Sequence, residues 1–214
     1  MTIEQFIFLV VFVIVILVIG VLIILVVEKR RGKGKIVRAL NMSLFLIKVI
    51  RETKEDISLD EKKIKIGVME QFLASLSALK EKGFFKNIFY GQPYIVLEMA
   101  VPFVGSEICF YLAAPKKYET FLEKQIYSFY PRATVEKIED YNIFNSEGFC
   151  AGGFFRLEKK NVLLLKTYKD LGVDSLEGIA NALSKIQEIG EGGTIQIIIK
   201  PATKNWNKEG LSII

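Results

Sequence analysis

The sequence predicts an α+β protein in which a single N-terminal transmembrane helix precedes a ferredoxin-like βαββαβ unit and a second, incomplete α+β unit. Three observations support this prediction: one long apolar run, an ordered series of strand and helix patterns, and a shorter series that stops early. The chain has 214 residues, of which 51% are hydrophobic, and much of the apolar content lies near the N-terminus. The remainder has the size of one or two small domains.

The first element is an apolar run over residues 6–27 that contains no charged residue. At about 1.5 Å per residue, a helix of this length spans roughly 33 Å, enough to cross a hydrocarbon core of about 30 Å. Glu4 stands where a signal peptide would carry basic residues, and Val26 and Val27 stand where small residues would precede cleavage. We therefore predict an uncleaved anchor over residues 1–28.

A basic cluster follows the apolar run, whereas the residues before the run include no Lys or Arg. The positive-inside rule therefore predicts a single-pass protein of the inner, cytoplasmic membrane, with its N-terminus outside and its body in the cytoplasm. Gly32 and Gly34 predict a short flexible joint in a basic linker over residues 29–41. The candidate contacts with the membrane or another anionic surface are Lys29, Arg30, Arg31, Lys33, Lys35 and Arg38.

The body begins with strand and helix patterns in the order βαββαβ over residues 42–140, which is the ferredoxin-like order. The first strand is predicted over residues 44–50 from its β-branched composition. Ser58 and Glu61 have the spacing of a capping box that opens a helix, and Gly83 is predicted to end it. The remaining predicted elements are strands over 94–101 and 107–114, a helix over 116–130 and a strand over 133–139.

A turn-rich linker leads to a second series of patterns over residues 148–202, and residues 203–214 form a C-terminal tail. This series predicts strands over 149–157 and 162–168, a helix over 174–186 and a strand over 194–199. A complete second ferredoxin-like unit would need another helix and strand after Lys200. We therefore expect an incomplete second unit whose missing elements lie in a partner or in a longer parent chain, or are absent.

The composition argues against most forms of catalysis. The chain has no His and two Cys, which excludes His-dependent acid/base chemistry and zinc sites with several His or Cys ligands. The Gly-rich turn over residues 190–193 follows a helix and leads into a strand, the reverse of a phosphate-binding loop. Glu136, Glu139 and Asp140 could bind Mg²⁺, but their position beside Lys137 favours a solvated strand edge. We predict no enzymatic activity, no cofactor and no metal site.

An aromatic cluster after the first helix of the body is a candidate docking surface. It is accompanied by Lys82 and Lys86, and such a cluster can contact a neighbouring protein or the inner membrane leaflet. Packing beneath a loop is the alternative, and we favour it. The cluster consists of Phe84, Phe85, Phe89 and Tyr90.

Several stretches resemble the N-terminal region of a bacterial family in which a membrane helix and an α+β domain precede a type IV secretion or conjugative coupling ATPase of the DNA-pump type. They read VMEQFLASL (68–76), FYLAAPKKY (110–118), EKQI (123–126), IEDYNIF (138–144) and IANALSK (179–185). No nucleotide-binding motif occurs, so the resemblance does not carry the ATPase role to this chain. We expect a split or truncated form of the longer protein.

The resemblance implies a non-catalytic cytoplasmic assembly module of a secretion or DNA-transfer apparatus. It implies a coupling-type ATPase or another secretion component as partner. Together with the membrane, which the apolar run predicts, and further copies of the chain, these are the expected partners, with nucleic acid engaged only indirectly. The alternative, from another functional class, is a membrane tether that binds nucleic acid or anionic lipid through the juxtamembrane basic cluster.

Overall fold

A computed structural model of the chain describes residues 3–50, 59–83, 87, 89–102, 107–144, 148–159, 163, 176–186, 191–202, 208 and 210–212. These residues form a mixed α+β structure with one long apolar N-terminal helix and an antiparallel sheet of five strands. The chain divides into two compact units. One unit comprises Met1–Asn41 and Glu81–Gln92, and the other comprises Met42–Lys80 and Pro93–Ile214.

Helix α1 (Ile3–Leu40) is continuous over 38 residues. It contains nearly all of the predicted anchor over residues 1–28 and of the predicted linker over residues 29–41. The prediction of a flexible joint at Gly32 and Gly34 was wrong, because the structure keeps both glycines in the helix. A glycine costs a helix interior only about 1 kcal/mol relative to alanine, and the Lys and Arg residues around these two are good helix formers.

After α1, the structure describes eight α-helices and β-strands, and these make up the body. Its sheet has the strand order β4-β1-β3-β2-β5, and every pair of neighbouring strands is antiparallel. Short 3-10 turns at Leu76–Leu79 and Lys116–Tyr118 follow α2 and precede α3. The elements are β1 (Met42–Lys48), α2 (Leu59–Ser75), β2 (Ile95–Val101), β3 (Cys109–Pro115), α3 (Glu119–Phe129), β4 (Thr134–Ile138), α4 (Glu177–Leu183) and β5 (Gly193–Ile199).

The strands and helices predicted over residues 42–140 are present, and most of their ends shift by a residue or two. The exception is α2, which ends at Ser75 instead of near Gly83. The Ser75 hydroxyl donates to the Phe72 carbonyl oxygen at 2.6 Å, and a tighter 3-10 turn follows. A serine that bonds back to its own helix in this way competes with the regular helical ladder.

The strand predicted over residues 194–199 does not belong to a separate sheet. As β5 it pairs with β2, so that Gln196 lies opposite Glu98 and Ile198 opposite Val96. β2 has buried apolar side chains on both faces, and a partner strand on this edge removes more of that surface from water. Residues 149–157, also predicted as a strand, form neither helix nor strand.

Two other predictions of the second series fall partly or wholly outside the described residues. The predicted strand over residues 162–168 is described only at residue 163, and the predicted helix start at Asp174 and Ser175 is not described. Helix α4 is present, and its Leu183 is buried. Most of the tail over residues 203–214 also lies outside the described part.

The hydrophobic core lies on one face of the sheet, beneath α2 and α3. Leu112 of β3 and Leu122 of α3 have no exposed surface, and the Phe72 and Phe129 rings meet edge to face with centroids 6.1 Å apart. Phe45 lies directly opposite Leu112 in the sheet. Because side chains alternate along a strand, the neighbouring residues, including Tyr111, point to the opposite face.

Candidate functional site

The apolar part of α1 has no packing partner among the described residues. The helix is long and apolar enough to cross a membrane, and no part of its most apolar stretch is buried. Phe6, Phe12 and Leu17 are 54%, 54% and 63% exposed. A continuous apolar surface of this size is unfavourable in water and marks a contact with lipid or protein.

The basic cluster continues along the same helix after the apolar part. Consecutive helical residues point about 100° apart, so Lys29, Arg30 and Arg31 extend in three different directions around the axis. These side chains and Lys33 are exposed. Basic side chains on all sides of a helix suit the headgroup layer around an emerging span, whereas a groove-binding helix would carry them on one face. Lys35 lies in the helix, but its side chain is outside the described part.

Arg38, the last of the predicted anionic-surface contacts, is used within the chain. Its Nη1 donates to the carbonyl oxygen of Gly91 at 2.9 Å and to that of Gln92. Gly91 has a φ of 71°, in the left-handed region that favours glycine, and its N–H donates to the Asn87 carbonyl oxygen at 2.9 Å. The guanidinium therefore ties α1 to the turn that ends at Gln92.

The same turn is held at its base by a side-chain amide. Gln92 is buried, its Oε1 accepts from the Glu81 N–H at 2.9 Å, and its Nε2 donates to the Glu81 carbonyl oxygen at 3.1 Å. These two bonds close the segment over residues 81–92 on itself. Arg38 and Gln92 together satisfy carbonyl groups that a partly buried turn would otherwise leave without donors.

Two of the four aromatic residues predicted as a docking cluster lie against α1. A Cβ atom on Gly34 would stand 2.5 Å from the Phe89 carbonyl oxygen and 3.2 Å from Tyr90 Cδ1, so glycine permits this close approach. Phe89 is partly buried and Tyr90 is 48% exposed. Phe84 and Phe85 lie outside the described residues.

A second candidate site lies in the body, on the sheet face opposite the helices. Glu98 of β2 is 8% exposed, and its Oε1 accepts hydrogen bonds from Thr194 Oγ1 at 2.7 Å and from Gln196 Nε2 at 2.9 Å. Hydrogen bonds to a charged group compensate for the loss of its hydration. Glu98 therefore links β2 to β5 through side chains as well as through the backbone ladder.

Two stacked tyrosines cover the same face. The Tyr141 ring lies on the Tyr111 ring with centroids 4.6 Å apart and an interplanar angle of 23°. Burial, with a smaller contribution from Cys109, raises the pKa of Tyr111 to about 12. Burial, together with the Glu98 carboxylate, also raises the pKa of Tyr141. The Tyr141 hydroxyl is buried and makes no hydrogen bond of good geometry with the described residues.

The carboxylates considered for Mg²⁺ are at the surface. Glu136 forms an ion pair with Lys48 at 3.0 Å, and about half of its side-chain surface is exposed, while Glu139 and Asp140 are exposed. Across the described ranges, no group of three or more His, Cys, Asp or Glu residues is arranged to hold a metal ion. Glu136 thus lies on the edge strand β4, and Glu139 and Asp140 follow the end of that strand.

An apolar cavity of about 210 Å³ lies between α2 and the adjoining ends of β2 and β5. Lys80, close to this end of the sheet, donates from Nζ to the Ala202 carbonyl oxygen at 2.7 Å. Sequence reasoning missed both this cavity and the Glu98 cluster. The available signal for the cluster was a lone glutamate within the apolar strand sequence IVLEMAV. The cavity is lined by Leu73, Leu76, Leu79, Tyr94, Ile199 and Lys200, among others.

These features define an α+β body that follows a helix able to span a membrane. A family model described as a domain of unknown function (DUF8128) matches residues 57–212, and the chain belongs to this family. A search of curated proteins and a search of solved structures each found no match. The matched region begins after α1 and covers most of the body.

Proposed function

We propose that this chain is a membrane-anchored, non-catalytic assembly module whose body stands at the cytoplasmic face of the inner membrane. The observation that carries the proposal is that none of the apolar stretch of α1 is buried. Lipid tails would cover this apolar surface. Helix α1 is also longer than the roughly 20 residues that are needed to cross a hydrocarbon core of about 30 Å. The C-terminal part of α1 would then leave the bilayer together with its basic side chains.

The basic side chains support the orientation of the module. Lys29, Arg30, Arg31 and Lys33 are exposed on the C-terminal side of the apolar part, and Glu4 is the charged residue before it. Positive charge is retained on the cytoplasmic side of a membrane. This asymmetry supports an outside N-terminus and a cytoplasmic body.

The strand order supports a ferredoxin-like arrangement within the body. The strands β4, β1, β3 and β2 are neighbours in that order and all antiparallel, and α2 and α3 contribute to one shared core. We propose that β5 is an addition to the β2 edge of this unit. The fold alone does not define an activity, and the body serves in this proposal as a surface for assembly.

The apparatus we propose is a type IV secretion-like or conjugative DNA-transfer system, and the support is the sequence resemblance of five segments of the body. The test is affinity purification of the tagged full chain from detergent-solubilised membranes of its native host, followed by mass spectrometry. A tagged variant that retains residues 1–41 and lacks the body is the control. We expect a coupling-type ATPase or another secretion component with the full chain only. Recovery of the full chain without a coupling-type ATPase or another secretion component contradicts the proposal.

A second candidate function is supported by the exposed basic side chains on α1. In this version the module binds nucleic acid or anionic lipid directly through Lys29, Arg30, Arg31 and Lys33. Neutralising all four to Gln should weaken DNA binding and flatten its salt dependence, since each lost phosphate contact lowers the slope by about 0.9. The matched control changes four exposed lysines of the body to Gln, namely Lys116, Lys124, Lys159 and Lys208. Equal DNA affinity for the two variants rejects this version.

A further inference from the structure

The two edges of the sheet differ in how they are protected. β4, at one edge, carries Glu136 and Lys137, which form ion pairs with Lys48 and Glu119 at 3.0 Å and 2.8 Å. Charged side chains on an edge strand discourage pairing with another chain. β5 (Gly193–Ile199), at the other edge, contains no charged residue.

β5 also exposes apolar side chains on both of its faces. Ile197 is 49% exposed and Ile198 is 64% exposed, and neighbouring residues of a strand point to opposite faces. Among the residues that the structure describes, β5 pairs with β2 alone. A strand of this composition with one unpaired backbone edge is a template for the addition of another strand.

The chain also contains an apolar segment that pairs with no strand among the residues that the structure describes. Residues 149–157 have a strand-like sequence, form no helix or strand, and include Phe149, Phe154 and Phe155 at 110%, 86% and 97% exposure. A Cβ atom on Gly152 or Gly153 would meet nothing within 4 Å, so this stretch of backbone has open space around it.

The side chains of this segment follow the two-residue repeat of a strand. Alternate positions from 149 to 157 are apolar or Gly, and the first charged residue of the segment is Arg156. As an extended strand it would therefore present one continuous apolar face. Its length exceeds the seven residues of β5, so it can pair along the whole strand. The apolar face consists of Phe149, Ala151, Gly153, Phe155 and Leu157.

We propose that residues 149–157 of a second copy of this chain add as a strand to the free edge of β5, so that two copies exchange segments. The occupant is a second copy because the chain supplies both an uncharged edge strand and a strand-like segment with one apolar face, and among the described residues neither the free side of β5 nor this segment has a pairing partner. Reciprocal exchange closes the assembly at two copies and leaves neither segment free. The added strand would cover Ile197 and Ile198. This inference rests on the sheet edge and is independent of the membrane anchor.

Site-directed cross-linking of the full chain in detergent tests the exchange. Cys109 is replaced by Ser, Cys150 is retained in the segment, and Ile197→Cys or Ile198→Cys is introduced on β5. A short bifunctional maleimide should then produce a covalent dimer on a denaturing gel. The matched control is Ile64→Cys on α2, where Ile64 is 69% exposed. Dimer yields that do not exceed the control overturn the proposal.

Two further variants and an intact-mass measurement separate this pairing from other arrangements. Adding Cys150→Ser should abolish the dimer, and a dimer that persists without Cys150 indicates contact between two β5 strands and overturns the proposal. A cross-link confined to one chain, seen as an intact-mass change without a dimer, overturns it as well. Phe155→Asp alters a side chain that is 97% exposed in the single copy, so we expect at least a fivefold loss of dimer from a chain that still unfolds cooperatively. Equal dimer formation by Phe155→Asp and the wild type is a contradiction.

Discussion

The ring of Tyr141 lies on the ring of Tyr111 with centroids 4.6 Å apart, and this contact holds the chain after β4 across the sheet face opposite the helices. Tyr141→Ala removes the stack and part of the buried surface, so we expect the free energy of unfolding to fall by about 2 kcal/mol. The corresponding fall in melting temperature is roughly 4–8 °C.

Tyr141→Phe is the matched control, because it keeps the stack and removes only the hydroxyl. That hydroxyl is buried and lacks a good hydrogen bond, so its removal should be neutral or slightly stabilising. Thermal unfolding of the detergent-solubilised full chain measures both variants. If Tyr141→Phe lowers the melting temperature as much as Tyr141→Ala does, then the hydroxyl group, and not the ring stack, holds the chain after β4 against the sheet.

Glu98 is expected to be important for the attachment of β5 to the sheet. Glu98→Ala removes the acceptor for Thr194 and Gln196, and we expect a loss of about 2 kcal/mol, together with faster amide exchange along β5. Glu98→Gln keeps an oxygen at the accepting position and should cost less than about 1 kcal/mol. Urea unfolding and hydrogen exchange are the measurements. Equal losses for Ala and Gln would show that the charge, and not the two hydrogen bonds, is what stabilises the strand.

Alkaline pH should weaken the body through Tyr111. The pKa of Tyr111 is raised to about 12 in the folded chain, whereas an unfolded tyrosine has a pKa of about 10. The folded state therefore holds the phenol proton more tightly. Its stabilising contribution is complete below the unfolded pKa and is lost as the pH rises toward the folded pKa. Urea unfolding across this interval should show a smaller loss for Tyr111→Phe than for the wild type, and equal losses would contradict the assignment.

Gly34 and Gly32 form a matched pair for testing the contact between α1 and the turn at Phe89. A Cβ atom on Gly34 would meet the Phe89 backbone oxygen at 2.5 Å, whereas one on Gly32 would meet nothing within 4 Å. Gly34→Ala should displace the turn and accelerate exchange of the Gly91 amide by about tenfold. Gly32→Ala should stabilise the helix by roughly 0.5–1 kcal/mol. Unchanged Gly91 exchange in Gly34→Ala contradicts the close approach.

The elements over residues 42–140 were predictable because their patterns are local. Strands such as β2 combine β-branched residues with flanking turn signals, and the apolar spacing of α2 and α3 follows the helical repeat. The position of β5 was not predictable in this way. Its sequence predicts a strand, but the choice between a new sheet and the β2 edge depends on contacts between residues about 100 positions apart, such as Glu98 and Gln196.

The candidate site was predictable only where its features appear in the local sequence. The apolar run and the basic residues of α1 are visible in the sequence as composition. The role of Arg38 is not, because its acceptors at Gly91 and Gln92 are backbone carbonyl groups distant in the sequence. The stack of Tyr111 and Tyr141 also depends on tertiary structure, since nothing in the local pattern directs the chain after β4 across the sheet.

The accessibility of Cys150 to a membrane-impermeant maleimide tests the proposed anchoring and orientation most directly. Cys150 is exposed in the body and Cys109 is half-buried, so a Cys109→Ser variant reports on Cys150 alone. We expect the protein to stay in the membrane pellet after alkaline extraction, with Cys150 labelled only after spheroplasts are permeabilised. Labelling of Cys150 in intact spheroplasts, or release of the chain by alkaline extraction, would contradict a cytoplasmic body anchored by α1.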